Sequence, residues 1–147
     1  MNRDTVYEQL KIDEGVVYKI YLDHLDLPTF GIGHLILKSD KEYGMPVGTK
    51  ISEDRVKSCF NNDLDIAIEE CNKLYKKFNS FPEIVQEVLV NMMFNMGRPR
   101  LSGFIDFKAA LDVGNWKEAA KEGRDSKWYK QVPTRAERLM CVLEKVS

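Results

Sequence analysis

The sequence predicts an α+β protein built as two lobes, and three patterns carry that expectation. Residues Val17 to Asp23 alternate, with Tyr18, Ile20 and Leu22 on one side and Lys19, Tyr21 and Asp23 on the other, as in a half-buried strand. Val56, Phe60, Leu64, Ile68, Cys71, Leu74 and Phe78 recur at spacings of three and four, the stripe of one long helix. Beyond Pro82 only helical segments follow.

In chain order, a first helix is expected over 5–14. Thr5-Val6-Tyr7-Glu8 fits a capping box and Gly15 a C-terminal stop. Residues 24–28 read as a turn in which Asp26 takes the left-handed conformation, since Asp tolerates it better than most residues. Thr29 to Leu37 is a second strand region broken by Gly31 and Gly33, and 38–50, with Gly44, Pro46 and Gly48, is a loop. Ser52 caps the long helix, and Glu53 and Asp54 suit its positive end. That helix is expected over about 53–78, too long for one small lobe and therefore a link between two. A helix from Pro82 to Gly97 comes next, then 104–113, then 116–122 with Asn115-Trp116-Lys117-Glu118 as a capping box, and a last helix from Pro133 or Thr134. Residues 1–147 are thus expected to form a single domain. Its N-terminal lobe spans about 12–52, and its all-helical C-terminal lobe spans about 79–147 and includes the first helix.

The 147 residues carry a net charge of −1, with 44% hydrophobic and 31% charged side chains, an ordinary globular composition. Residues 108–147 hold nine basic and six acidic side chains, a local excess far below that of a nucleic-acid binder, so no nucleic-acid partner is expected. No apolar run approaches the roughly 18 residues of a membrane span, so no stable membrane insertion is expected. Met1 to Leu10 contains Asp4 and Glu8 and lacks an apolar core, so synthesis in the cytoplasm without a signal peptide is expected. Three cysteines without CxxC spacing read as buried thiols. Cys59 and Cys71, roughly 18 Å apart on one helix, are too distant to bridge. Two histidines cannot build a His-rich site, so neither metal nor cofactor is expected.

One constellation carries chemistry. Glu14 ends the first helix, Asp23 ends the first strand, and Thr29 lies on the returning strand. Two carboxyls and a hydroxyl around one cleft are what acid–base cleavage of a glycosidic bond needs: one carboxylic acid protonates the leaving oxygen and one carboxylate serves water or the sugar. Acid pairs nine residues apart are common, so spacing alone leaves the role open.

The run Ile12-Asp13-Glu14-Gly15, then Lys19-Ile20-Tyr21, Asp23 and Thr29-Phe30-Gly31-Ile32-Gly33-His34-Leu35, closely resembles the phage-type lysozymes, glycoside hydrolase family 24. The resemblance continues through Phe60-Asn61-Asn62-Asp63-Leu64-Asp65, Asn91 to Gly97, Gly103-Phe104, Trp116 to Ala120, Ser126 to Tyr129 and Pro133 to Ala136, in family order. It implies a two-lobed lysozyme-like fold and an endolysin-type muramidase. Such an enzyme cuts the β-1,4 bond between N-acetylmuramic acid and N-acetylglucosamine, with inversion. The alternative is a baseplate or glycan-binding domain with weak or no catalysis, toward which the run Gly123 to Ser126 leans.

By the same resemblance Glu14 is the general acid, Asp23 the assisting carboxylate and Thr29 the holder of the attacking water. Leu35, Phe94 and Asn95 match substrate contacts, and Arg135 matches an arginine paired with the catalytic glutamate. His34 and Asp63 are expected to form a partly buried ion pair, and the Met92, Met93 and Met96 cluster, Trp116 and Trp128 to pack in the core. Phe107 and Glu122 depart from the family pattern, standing where relatives offer a small hydroxyl and an amide. The expected partner is peptidoglycan, met by a monomer that acts on the wall after release or as part of a virion.

Overall fold

The structure, a computed structural model, describes all 147 residues. Its elements are α1 (Arg3–Glu14), β1 (Val17–Leu22), β2 (Pro28–Gly31), β3 (His34–Leu35), α2 (Glu53–Leu74), a 3-10 turn (Phe78–Ser80), α3 (Glu83–Leu101), α4 (Ile105–Asp112), α5 (Trp116–Arg124), α6 (Lys127–Gln131) and α7 (Pro133–Glu144). The α+β, lysozyme-like architecture follows the sequence pattern. The chain divides into two compact units, residues 3–66 and residues 1–2 with 67–147.

In the first unit, β1, β2 and β3 form an antiparallel sheet in that order. Tyr21 pairs with Thr29 and Thr29 with Leu35, while Phe30 pairs with His34. Phe30 and Ile20 are almost fully buried. Tyr18 and Leu22, expected inward beside Ile20, are 41% and 47% exposed. The register slips between Val17 and Tyr21, and such an irregularity breaks strict alternation. Asp26 takes φ +59 at the hairpin tip, as its side chain permits. Gly31, at φ +66, lies so close to α2 that an added Cβ would sit 3.2 Å from Val56 Cγ1, so glycine is needed there on two counts.

Ser52 Oγ accepts the Arg55 N–H at 3.1 Å and caps α2. The helix runs unbroken for 22 residues to Leu74 and stops short of Phe78. The Tyr75 N–H still reaches the Cys71 carbonyl, but the Phe78 N–H bonds the Tyr75 carbonyl three residues back, so Phe78 is buried from a tighter turn. The first helix also differs from expectation. It starts at Arg3, whose guanidinium bonds Asp65 at 2.9 Å and the Asn61 carbonyl at 3.1 Å, so Thr5 lies inside the first turn rather than capping it. α1 belongs to this unit and not with the C-terminal helices, because Tyr7 packs its ring edge-on against Phe60, 4.9 Å between centroids.

The second unit is helical. Regular α3 geometry ends at Gly97, φ +76, ahead of Pro99, as glycine and proline there predict. The Met1 ammonium bonds Glu83 at 3.1 Å and the Asn2 N–H bonds Glu87 at 3.3 Å, both on α3. Val85, Leu89, Met92, Leu111, Ala120, Met140 and Leu143 are fully buried. Asn115 Oδ1 accepts the Glu118 N–H at 3.1 Å, one half of the expected box. Arg124 on α5 clasps Glu137 and Glu144 of α7 at 2.7–3.0 Å, joining the two helices by paired charge-assisted bonds. Between the same helices an alanine Cβ at Gly123 would collide with Met140 Sδ and lie 3.3 Å from its Cγ. Gly123→Ala should therefore lower stability: overpacking costs about 1–3 kcal/mol and outweighs the ~1 kcal/mol of helix propensity gained. Calorimetry showing a raised melting temperature would mean that Met140 yields freely.

Candidate active site

In the first unit, Glu14 is the last residue of α1 and is exposed; Gly15, φ +77, ends the helix directly behind it and starts the chain toward β1. Asp23 follows β1 and closes the hairpin loop on itself. Its Oδ1 accepts the N–H groups of Leu25 at 2.8 Å and Leu27 at 3.0 Å. Those bonds, that of Leu27 foremost, hold its carboxyl below the usual aspartate range, so it stays ionised at neutral pH.

Thr29 is 3% exposed, and its hydroxyl donates to the Leu27 carbonyl at 2.9 Å. That carbonyl also accepts the Asp23 N–H at 3.0 Å. The Leu27 backbone thus fixes both side chains, its N–H donating to Asp23 and its C=O accepting from Thr29. With its proton committed, the Thr29 oxygen can only accept from a further molecule. Leu35 stands beside Thr29 across the β2–β3 ladder and is 43% exposed, an apolar surface on the same sheet face.

On the opposite face, His34 Nδ1 bonds Asp63 Oδ2 of α2 at 2.7 Å, the expected pair. Sequence reasoning missed the rest of this cluster. His34 Nε2 bonds Asp40 Oδ2 at 2.8 Å, Arg55 lies 3.6 Å from Asp40, and Arg55 makes two bonds to the buried Glu42 at 2.7 and 2.9 Å. The bond to Asp63, and then that to Asp40, raise the His34 pKa against the opposing effect of burial. Asp40 is held low by the Leu37 N–H and by His34, although burial acts the other way. The one signal for Asp40 was its place in the Leu37–Asp40 turn, where its carboxylate accepts the Leu37 N–H at 2.8 Å. The Glu42–Arg55 pair, loop to helix, left none.

The other nominated residues lie in the second unit. Arg135 is 8% exposed and donates to Asn91 Oδ1 at 2.8 Å and to the Asn91 carbonyl at 3.2 Å. Asn95 Oδ1 accepts the Trp128 Nε1–H at 2.7 Å, so the carbonyl end of its amide is taken up internally and the NH2 end is turned the other way. Phe94 is half-buried one residue before it. Trp128 is core, as expected, while Trp116 is half-buried and edge-on to Phe81. Phe107 and Glu122 line a surface pocket of about 280 Å³ with Phe104, Asp106, Ser126 and Lys127, and the acidic neighbourhood raises the Glu122 pKa after burial does.

The family model described as phage lysozyme matches residues 11–140. The chain is 30% identical to the pre-baseplate central spike protein Gp5 of Enterobacteria phage T4, over 92% of this chain but only 27% of that protein's length. It is 31% identical to probable T4-type lysozyme 2 of Dictyostelium discoideum, covering 93% of this chain and 92% of that one, and 29% identical to probable T4-type lysozyme 1 of the same organism.

Proposed function

The chain belongs to the phage lysozyme family and is thereby a glycoside hydrolase, and from that premise we propose that it is a muramidase of endolysin type. Its reaction is hydrolysis of the β-1,4 bond between N-acetylmuramic acid and N-acetylglucosamine in peptidoglycan, with inversion at the anomeric carbon. Glu14 protonates the leaving oxygen, Asp23 assists the attacking water and Thr29 positions it. Leu35, Phe94 and Asn95 contact the glycan by analogy with the family.

The observation that carries this reading is the shared anchoring of Asp23 and Thr29 on the backbone N–H and C=O of Leu27. A water seated between Asp23 Oδ2 and Thr29 Oγ1 finds two acceptors and no donor. It must give a hydrogen to each and turn a lone pair outward, toward the sugar. That is the orientation of a nucleophile. Asp23, kept ionised, is a weak base; it suits an oxocarbenium-like transition state, in which the carbon's demand makes the water acidic as the bond forms. A retaining enzyme would use Asp23 itself as nucleophile and leave the Thr29 acceptor without a role.

Proton NMR of the first-formed reducing ends, on purified glycan strands, tests the reading. Inverted anomers are expected. Retained anomers would make Asp23 the nucleophile, and no cleavage would leave a glycan-binding domain.

The similarity to a central spike protein supports a second setting, a lysozyme domain carried in a virion and acting from outside the cell. The chemistry proposed is the same in both settings.

A further inference from the structure

Three residues form one row across the sheet of the first unit. Tyr21 pairs with Thr29, and Thr29 pairs with Leu35. Direct partners in an antiparallel ladder point to the same face, with Cβ atoms about 4.5–5.5 Å apart. Asp23 follows Tyr21 by two residues, next to the end of β1. Two members of the row, Thr29 and Leu35, already have places in the proposed reaction; Tyr21 has none.

Tyr21 is half-buried, and its hydroxyl makes no hydrogen bond within the chain. Ile20, its neighbour on the other face, is 1% exposed and belongs to the core, so the Tyr21 ring is not needed there. Burial first, then the negative charges of Asp23 and Glu14, raise the phenol's pKa, so the group is neutral and a hydrogen-bond donor throughout the working range. Beside an Asp23 that only accepts and a Thr29 whose proton is committed, Tyr21 is the neutral donor on this face.

We propose that Tyr21 is a further substrate-contacting residue, the third member of the Tyr21–Thr29–Leu35 row, whose phenolic hydroxyl donates a hydrogen bond to an oxygen of the pyranoside held over Asp23. Its ring lies flank to flank with Thr29 and provides an apolar wall for that sugar, as tyrosines commonly do with one end apolar and the other wet. The inference rests on the sheet face being the glycan-binding face of the proposed hydrolase.

Tyr21→Phe keeps the wall and removes the donor. The loss of one neutral hydrogen bond should lower kcat/KM on glycan strands about three- to tenfold. The melting temperature should stay unchanged, because the hydroxyl has no partner in the free chain. The companion measurement is titration of a glycan oligomer into Glu14→Gln and into the double variant Glu14→Gln, Tyr21→Phe, where the oligomer is not cut. Weaker binding by about the same factor is expected in the double variant if the bond forms in the ground state. If it forms only in the transition state, the loss appears in kcat alone.

Equal rates and equal affinities with and without the hydroxyl would overturn the assignment. So would a rate loss matched by a fall in melting temperature, which would make Tyr21 structural. A wild-type chain that binds the oligomer through Tyr21 yet never cleaves it would sink the hydrolase reading while leaving this contact standing.

Discussion

Glu14→Gln should lower glycan cleavage by roughly 10²–10⁴-fold, the contribution of a positioned general acid, while the protein still folds. The amide matches the carboxyl in shape and lacks only the transferable proton. Glu14 is exposed at the last position of α1, where substitutions away from packing usually change stability by less than about 0.5 kcal/mol. The loss should fall on kcat more than on KM, since the proton moves only in the transition state. Turbidity clearing of purified cell walls, read beside a thermal melt, separates lost chemistry from lost fold. Clearing at a rate near that of the unaltered chain would move the general acid elsewhere and leave Asp23 and Thr29 without a leaving-group partner.

His34→Asn should cost about 2–4 kcal/mol below neutral pH, a melting temperature lower by roughly 10 °C, because two short bonds to carboxylates are lost and both carboxylates remain part-buried. The pH dependence follows from the two shifts. His34 has a raised folded pKa, so its stabilisation is full below the unfolded value of about 6.5 and is lost as pH rises through the folded value. Asp40 has a lowered folded pKa, so its contribution is present above the unfolded value of about 3.9 and is lost as pH falls through the folded one. The gap between the unaltered chain and His34→Asn should therefore be widest between about pH 4 and pH 6.5 and should narrow on the alkaline side. Thermal melts of both proteins from pH 3 to pH 10 measure it. A gap that does not change with pH would mean that His34 is held for its shape and not its charge.

Local rules written along the chain are legible where one residue decides the outcome. Gly15 and Gly97 end their helices because a left-handed backbone suits glycine, Ser52 starts α2 because its hydroxyl meets a free N–H, and Asp26 turns the hairpin because Asp tolerates positive φ. The long apolar stripe of α2 and the positions of Glu14, Asp23 and Thr29 on helix end, strand end and returning strand are read the same way.

What sequence periodicity cannot hold is anything that depends on a partner distant in the chain. Arg3 begins α1 two residues early because Asp65 waits for it, and Tyr7 commits that helix to the first unit by meeting Phe60. Tyr18 and Leu22 leave the core because the β1–β2 register slips, which alternation in one strand does not reveal. The second carboxylate on His34 and the Arg55–Glu42 pair arise only when loop, hairpin and helix meet. The sequence by itself determined the family and the order of the main elements, though not the short helix α6, since each rests on residue type at a given position. Tertiary structure alone decided the charge state of Asp23 and His34 and the direction of the hydrogen bond at Thr29, because these are set by which groups folding brings within about 3 Å.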